Sequence, residues 1–184
     1  MGTIPVSLRR ASPADNELLA AIGAQAFADT FAADNAPEDM AAYLAGAFST
    51  AKQAAELADP RGLFLIAEAG SQTAGFAHLR QGPPPSPALG QRPLEIARLY
   101  ALRGFIGRGV GAALMAACLA EAEQRGCDAA WLGVWERNAR AIAFYARWGF
   151  MQTSTQSFRL GGDLQRDIVM QRRLPLGINA AAAG

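Results

Sequence analysis

The chain has 184 residues, of which 51% are hydrophobic and 18% are charged. This length predicts one domain, and the high apolar content excludes an intrinsically disordered chain. Lys and Arg number 17 against 16 Asp and Glu, so the sequence lacks the basic excess that is typical of nucleic-acid-binding proteins. No apolar run approaches the ~18 residues of a membrane span, and residues 1–10 lack the apolar segment of a secretory signal.

The two cysteines, Cys118 and Cys127, are too few for a disulfide framework. Both stand in apolar surroundings, which is typical of reduced core thiols in a cytoplasmic protein. A chain of this length can bury a core large enough to fold without a disulfide or a metal ion. We therefore expect a cytoplasmic protein without a disulfide or a structural metal ion.

The first half of the chain predicts one strand, three helices and a hairpin. Alternating apolar residues indicate the strand, and Ser12, Pro13 and Asp15 form a capping-box pattern at the start of the first helix. A turn at residues 69–72 joins two apolar runs and predicts an antiparallel hairpin. The predicted strands are 4–10, 63–68 and 74–80, and the predicted helices are 13–31, 38–48 and 49–59.

The second half alternates strands with helices and ends in a hairpin. A loop at 81–93 contains five prolines; long loops of this kind are often functional, although a solvated connector is the commoner case. The predicted strands are 94–102, 129–135, 150–160 and 164–172, the predicted helices are 110–124 and 138–148, and the last hairpin turns at 161–163. We expect a single domain over residues 1–174 and a frayed, alanine-rich tail over 175–184.

The segment Gly107 to Gly111 contains three glycines between a predicted strand and a predicted helix. Backbone N–H groups converge at such a turn, at the positive end of the helix dipole, and a diphosphate is the expected guest. Arg108 can add a charge-assisted contact. The alternative is a tight turn without a ligand, which rarely needs three glycines. A dinucleotide-binding fingerprint is disfavoured because residues 112–115 contain no glycine.

A second motif consists of Asn138, Ala141 and Tyr145, whose spacings of three and four residues place them on one face of a predicted helix. Asn138 also fits the N-cap of that helix, and Tyr145 fits a core aromatic residue. Taken alone, these structural roles are the better interpretation. The glycine-rich turn about 30 residues earlier favours a functional interpretation of both motifs.

Together, the two motifs resemble the GNAT family of acetyl-CoA-dependent N-acetyltransferases, most strongly over residues 95–160. The resemblance implies an α/β fold with a mixed, largely antiparallel sheet of six or seven strands and helices on both faces. It also implies transfer of an acetyl group from acetyl-CoA, the co-substrate, to an amine by direct attack. No covalent acyl-enzyme is needed, and neither cysteine lies in a motif that would form one.

The resemblance implies roles for individual residues. In the family, the backbone of a splayed strand pairs with the pantetheine arm of CoA, and the matching residues here are Leu99, Tyr100 and Ala101. Asn138 matches an Asn that hydrogen-bonds the CoA arm. Tyr145 matches a Tyr that lies near the thioester sulfur and protonates the leaving thiolate. The diphosphate cradle corresponds to Gly107, Arg108, Gly109, Val110, Gly111 and Ala112, and it follows Ile106, where the family usually has Gln or Arg.

Deprotonation of the amine needs a base, because an ammonium with a pKa near 10 is almost fully protonated at neutral pH. Glu95 stands where the histone-acetyltransferase branch of the family has its catalytic Glu. Its alternative role is that of a surface carboxylate paired with Arg98. Other branches place a Glu on the strand after the cradle helix, where this chain has Gly133. His78, the single histidine, ranks below Glu95, and water is a further candidate.

The C-terminal part is similar to bacterial polyamine acetyltransferases of the PaiA type, over 131–138 and 158–167. This similarity implies a small polyamine acceptor. Glu136, Asp163 and Asp167 could add negative charge for its binding, although solvated strand ends are the simpler interpretation of each.

Other functions stay open at this point. The acceptor could instead be a protein N-terminus, a lysine, an amino acid or an amine-bearing drug, and the chain could be a catalytically silent CoA-binding module. The expected partners are acetyl-CoA and a small amine, without nucleic acid or membrane. If the chain associates, a homodimer is the commonest closed assembly.

Overall fold

A computed structural model describes residues 4–82 and 90–175 of the chain. Within these residues, seven strands form one sheet: β1 Ser7–Arg10, β2 Gly62–Ala69, β3 Gln72–Gln81, β4 Pro93–Ala101, β5 Ala129–Trp135, β6 Met151–Leu160 and β7 Asp163–Arg173. The same residues contain five α-helices: α1 Asn16–Phe31, α2 Pro37–Ala47, α3 Thr50–Ala58, α4 Val110–Gln124 and α5 Ala139–Arg147. Most of the proline-rich loop and most of the predicted tail lie outside the described residues.

The sheet has the strand order β1-β2-β3-β4-β5-β7-β6. Neighbouring strands are antiparallel except for β4 and β5, which run parallel because α4 crosses over between them. The predicted mixed, largely antiparallel sheet is therefore confirmed, with seven strands. Along the described parts of the chain, no helix is long and apolar enough to cross a membrane.

Helices cover both faces of the sheet, as predicted. On one face, α4 and α5 pack over the strands, and the buried side chains include Leu79, Ile96, Leu114, Met115, Cys118 and Leu132. On the other face, α1, α2 and α3 pack over residues that include Leu19, Phe27, Met40, Phe64, Ile66 and Phe76. We call the second face the α1–α3 face. Both cysteines are free and buried.

Local signals in the sequence account for several element ends. The capping box forms as predicted, because the Ser12 N–H donates to Asp15 Oδ2 at 2.7 Å before α1 begins. Ser49 caps α3 by accepting the N–H of Lys52 at 3.2 Å. The bounds of α4 and β5 coincide with the predicted ones, and Gly126 follows α4 with a φ of 65°.

Most other predicted bounds differ from the observed ones by one to three residues, and two of these differences have a clear structural cause. The first strand begins at Ser7 and not at residue 4, because its partner β2 ends at Ala69, where the chain turns into β3. The last hairpin turns at Gly161 and Gly162 alone, since Asp163 already pairs with Leu160 and belongs to β7.

Candidate active site

The middle of the sheet contains a gap between two parallel strands. β4 and β5 are paired only over their first three residues, and the last of these pairs joins Glu95 to Trp131. Beyond it, β4 stays paired with β3 up to Ala101, and β5 stays paired with β7 up to Trp135. The strands therefore diverge into a wedge. The backbone of residues 99–101 belongs to the diverging part of β4.

The glycine-rich turn connects the open end of this wedge to α4. Gly107 and Gly109 have φ values of 76° and 96°, in the left-handed region that disfavours other residues. Gly111 differs, because it lies inside α4 and a Cβ there would meet only the Phe144 ring, at 3.7 Å. Two of the three glycines are thus required by the backbone of the turn.

The N-terminus of α4 has amide groups that form no hydrogen bond within the helix. The Arg108 N–H is already used, since it donates to Phe105 O at 3.2 Å, and the first α-helical bond of α4 runs from the Ala113 N–H to Gly109 O at 2.9 Å. Helix geometry leaves the N–H groups of residues 109–112 without intrahelical acceptors. These four amides, at the positive end of the helix dipole, can bind an anion.

Two adjoining cavities lie beside the wedge. The first, of about 330 Å³, is bordered by the end of α1, the end of β4 and the start of α5, and its lining includes Ala101, Ile106 and Asn138. The second, of about 500 Å³, extends to the β6–β7 hairpin. Asp34, Trp135 and Arg137 line both cavities. The two cavities adjoin at these residues, and we call them together the cleft, with a cradle side and a hairpin side.

Asn138 forms the N-cap of α5, which is one of the two roles that the sequence allows. Its Oδ1 accepts the N–H of Ala141 at 3.1 Å. The side chain also borders the cradle side of the cleft. Because Oδ1 is occupied by the cap, the amide N–H groups of Asn138 are the atoms available to a ligand.

Tyr145 packs among aromatic rings at the start of the hydrophobic core. Its ring lies edge-on to Phe144 and Phe150, with centroids 5.4 and 6.1 Å away. Burial, with a smaller effect of Cys118, raises the pKa of the Tyr145 hydroxyl above its usual value. The phenol therefore stays protonated at neutral pH and can act as a proton donor.

Glu95 is buried, with 9% of its surface exposed, and both its carboxylate oxygens are bound to Arg80. The Arg80 Nη2 donates to Oε1 at 2.9 Å and Nε donates to Oε2 at 2.5 Å. The predicted alternative, a surface carboxylate paired with Arg98, was wrong. The register of β3 and β4 places Arg80 directly opposite Glu95, and Arg98 is bound to Glu56. The role of Glu95 as a base stays a prediction.

His78 lies in the core of the α1–α3 face, away from the cradle. Its ring stacks on Phe64 with centroids 4.0 Å apart. Burial and the nearby Arg98 guanidinium lower the pKa of His78 to about 3. The imidazole is therefore neutral near pH 7, and these surroundings are those of a packed core histidine.

The three acidic residues of the C-terminal part lie in different environments. Asp163 is exposed, and Glu136 forms an ion pair with Arg166 at 2.6 Å; both line the hairpin side of the cleft. Asp167 lies in the middle of β7 and is only 8% exposed. The interpretation of Asp167 as a solvated strand end was therefore wrong. Burial raises the pKa of Asp167 to about 6, against the effect of a hydrogen bond from Gln156.

Comparison with known proteins identifies the family. A sequence model described as the acetyltransferase (GNAT) family matches residues 24–150. The chain belongs to the GNAT family. It is 38% identical, over 160 residues that cover 87% of this chain and 98% of the relative, to an uncharacterized N-acetyltransferase of Mycobacterium tuberculosis. It is 33% identical, over 169 residues that cover 92% and 98% of the two chains, to an uncharacterized N-acetyltransferase of Lactobacillus delbrueckii.

Solved structures agree with the fold. The PaiA N-acetyltransferase of Thermoplasma acidophilum, in complex with coenzyme A, superposes with a TM-score of 0.76 at 22% identity, over 93% of this chain and 100% of the other. A GCN5-related N-acetyltransferase of Rhodopseudomonas palustris gives a TM-score of 0.75 at 26% identity, over 95% and 99%. This GNAT protein is thus an N-acetyltransferase that uses acetyl-CoA.

The cleft of this GNAT protein suits a polyanionic co-substrate. The cradle side of the cleft includes Ile106, which directly precedes the glycine-rich turn, and it is lined by three arginines, Arg103, Arg137 and Arg140, and by two aspartates, Asp29 and Asp34. Sequence reasoning missed these three arginines, although each lies within a few residues of the glycine-rich turn or of Asn138. Their positive charge would attract phosphate groups.

Proposed function

We propose that this enzyme transfers the acetyl group of acetyl-CoA to a primary amine by direct attack, with a small polyamine as the acceptor class. The observation that carries the proposal is the divergence of β4 from β5 beside the open N-terminus of α4. A thioester arm can enter the wedge there while its diphosphate binds the amides of residues 109–112. The family match supports the same arrangement.

Several groups would hold acetyl-CoA in this arrangement. The backbone of Leu99, Tyr100 and Ala101 would pair with the pantetheine arm, as a strand pairs with its neighbour. The turn from Gly107 to Ala112 would bind the diphosphate, with added charge from the Arg108 side chain. Asn138 would donate its amide N–H groups to the arm from the opposite side of the cleft.

Tyr145 would supply the proton for the leaving sulfur. Its hydroxyl is kept protonated by burial. Tyr145 lies on α5, the helix that Asn138 caps. A carboxylate would take a proton from the acceptor ammonium. Glu95 is the residue that the resemblance indicates, but each of its oxygens already accepts a hydrogen bond from the Arg80 guanidinium.

The acceptor would enter by the hairpin side of the cleft. This cavity of about 500 Å³ is lined by the carboxylates of Asp34, Glu136 and Asp163. Arg166 pairs with Glu136 and Arg137 also lines this cavity, so its three carboxylates exceed its two guanidinium groups by one negative charge. The Trp135 ring also lines this cavity and already has the Arg137 guanidinium over it, 5.7 Å from the ring centroid. A short, flexible polyamine fits an open cavity with dispersed negative charge.

A thiol-release screen tests the proposal. The enzyme is mixed with acetyl-CoA and, in turn, with spermidine, putrescine, single amino acids and peptides with free N-termini, and free CoA is followed with a thiol reagent. We expect turnover that depends on the added amine and is fastest with polyamines. If turnover is fastest with peptides, the acceptor is a protein N-terminus and not a polyamine. If calorimetry shows CoA binding but no amine is acetylated, the chain is a catalytically silent CoA-binding module.

The cellular setting follows from the same proposal. We place the enzyme in the cytoplasm, where acetyl-CoA is available and where the free thiols of Cys118 and Cys127 would stay reduced. A homodimer is our proposal for its assembly, on the general preference for closed twofold contacts.

A further inference from the structure

The side chain of Asp167 lies on the face of the sheet that also carries residues lining the cleft. It pairs with Trp135 in the β5–β7 register and with Gln156 in the β6–β7 register, and directly paired residues project their side chains to one face. Trp135 packs edge-on against Phe31 of α1 at 5.8 Å, so this is the α1–α3 face. Gln156 and Trp135 both line the hairpin side of the cleft. Asp167 therefore lies directly behind the wall of the acceptor cavity.

Gly133 lies next to the carboxylate of Asp167. It is exposed although its neighbours Leu132 and Val134 are buried. A Cβ placed on Gly133 would lie 3.2 Å from Asp167 Oδ2 and 2.7 Å from Gln156 Nε2. The space above Gly133 is thus taken by the side chains of Gln156 and Asp167, and the Asp167 carboxylate lies against the backbone of an exposed residue.

No positive side chain in the described parts of the chain forms an ion pair with Asp167 at 4.0 Å or less. The side chain that binds it is Gln156, a neutral donor. The titratable groups that interact with it from other elements are Tyr43 of α2 and Tyr100 of β4. Burial raises the pKa of both phenols, so both are neutral. Asp167 thus differs from Glu95, whose oxygens are held by Arg80.

We propose that Asp167, and not Glu95, is the general base that removes the proton from the acceptor ammonium. The assignment rests on the proposed acetyl transfer and names the residue that deprotonates the acceptor before the transfer. A base works best when its pKa lies near the operating pH, and burial brings the pKa of Asp167 to about 6. A carboxylate with this environment is ionised at pH 7.5 and still accepts a proton readily.

The proposed reaction consumes the acceptor ammonium and releases one proton. The ammonium gives one proton to Asp167, and the free amine attacks the thioester carbonyl, forming a C–N bond. The C–S bond breaks as the tetrahedral adduct collapses, and the sulfur leaves with its electron pair and takes a proton from Tyr145. The second proton of the amine nitrogen restores the Tyr145 phenol, and Asp167 releases its proton to water. The products are the N-acetyl amine, CoA thiol and one proton.

The test compares pH profiles of kcat at saturating acetyl-CoA, with the fastest amine of the thiol-release screen. We expect wild-type kcat to fall on the acid side with an apparent pKa near 6, since kcat reports the groups of the bound complex. Asp167→Asn should lower kcat at pH 7.5 by on the order of 10²–10⁴ and remove this acid limb. Glu95→Gln should keep the limb in place. Glu123→Gln, at an exposed site in the last turn of α4, is the control for removal of a carboxylate.

A second variant makes the test independent of the loss of Asp167. Gln156→Met removes the hydrogen bond that lowers the pKa of Asp167, so the acid limb should move to higher pH while Asp167 is retained. Three results would overturn the assignment of Asp167 but leave the proposed acetyl transfer intact. The acid limb could persist in Asp167→Asn, disappear in Glu95→Gln, or keep its position in Gln156→Met. An inactive wild-type enzyme that still binds CoA would overturn the proposed transfer, and the base with it.

Discussion

Tyr145 is the residue whose chemistry is easiest to isolate. Tyr145→Phe keeps the ring contacts with Phe144 and Phe150 but deletes the proton, so the fold and the CoA affinity should be unchanged. We expect kcat to fall by about 10²-fold, the low end of the range for loss of a general acid, because a thiolate is a fair leaving group. Steady-state kinetics measure kcat, and calorimetry with CoA measures the affinity as the control. Wild-type turnover in this variant would make Tyr145 a core aromatic residue only.

Asp167 should also leave a signature in stability. Its pKa is raised from 3.8 to about 6 in the folded protein, so the native state binds the proton more tightly than the unfolded state does. The stability contributed by the protonated form is complete below about pH 4 and is lost as the pH rises through about 6. Above that pH, the buried charge costs about 3 kcal/mol, from 1.36 kcal/mol for each unit of pKa.

Asp167→Asn should therefore be more stable than the wild type at high pH, although it is less active. Asn can still accept the hydrogen bond from Gln156, and it carries no charge. We expect the difference in the free energy of unfolding to grow from near zero at pH 4 to about 2–3 kcal/mol at pH 8. Urea unfolding at both pH values measures it. A difference that is the same at both pH values would mean that burial does not raise the pKa of this carboxyl.

At the scale of the element, the turn before α4 depends on Gly109, whose φ of 96° an L-residue rarely adopts. Gly109→Ala should shift the first amides of α4 and weaken CoA binding by at least about 10-fold, with a loss of stability of about 1 kcal/mol. Gly104→Ala is the matched control. It lies in the preceding 3-10 turn with ordinary backbone angles, and a Cβ there meets nothing within 4 Å. Equal CoA affinity in both variants would show that the turn does not bind the diphosphate.

Elements with strong local signals could be predicted from the sequence. The limits of α4 follow from its apolar periodicity and from glycines at both ends, and those of β5 follow from its continuous apolar run. The first strand was predicted three residues too long because its length is set by β2, which is distant in sequence. Element ends that depend on a partner strand are not encoded locally.

Side-chain partners across strands were harder to predict than elements. Glu95 pairs with Arg80 because of the β3–β4 register, which includes a bulge between His78 and Leu79. A bulge shifts every later pairing by one residue, and the sequence gives no sign of it. The burial of Asp167 likewise depends on β5 and β6 flanking β7. The glycine turn, Asn138 and Tyr145 were found because each belongs to a short contiguous motif.

At the scale of the whole molecule, the cleft exists because the sheet is one continuous layer with a local break. The strand pairs of β4 with β3 and of β5 with β7 hold the two sides of the wedge, while α4 and α5 pack on one face and α1–α3 on the other. The arm of a ligand in the wedge would take the place of a missing strand neighbour. Such a ligand would connect the two halves of the sheet.

Acetyl-CoA should therefore stabilise the whole domain and not only the turn. A ligand that binds only the folded state at a free concentration 100 times its Kd adds about 2.7 kcal/mol to the free energy of unfolding. For a domain of this size, this corresponds to a rise in Tm of about 5–10 °C. Thermal unfolding, followed by circular dichroism with increasing CoA or acetyl-CoA, measures the shift. Gly104→Ala should retain the shift, and Gly109→Ala, with CoA binding weakened at least about 10-fold, should lose about half of it or more. An unchanged Tm in saturating acetyl-CoA would rule out the wedge and the α4 turn as the binding site.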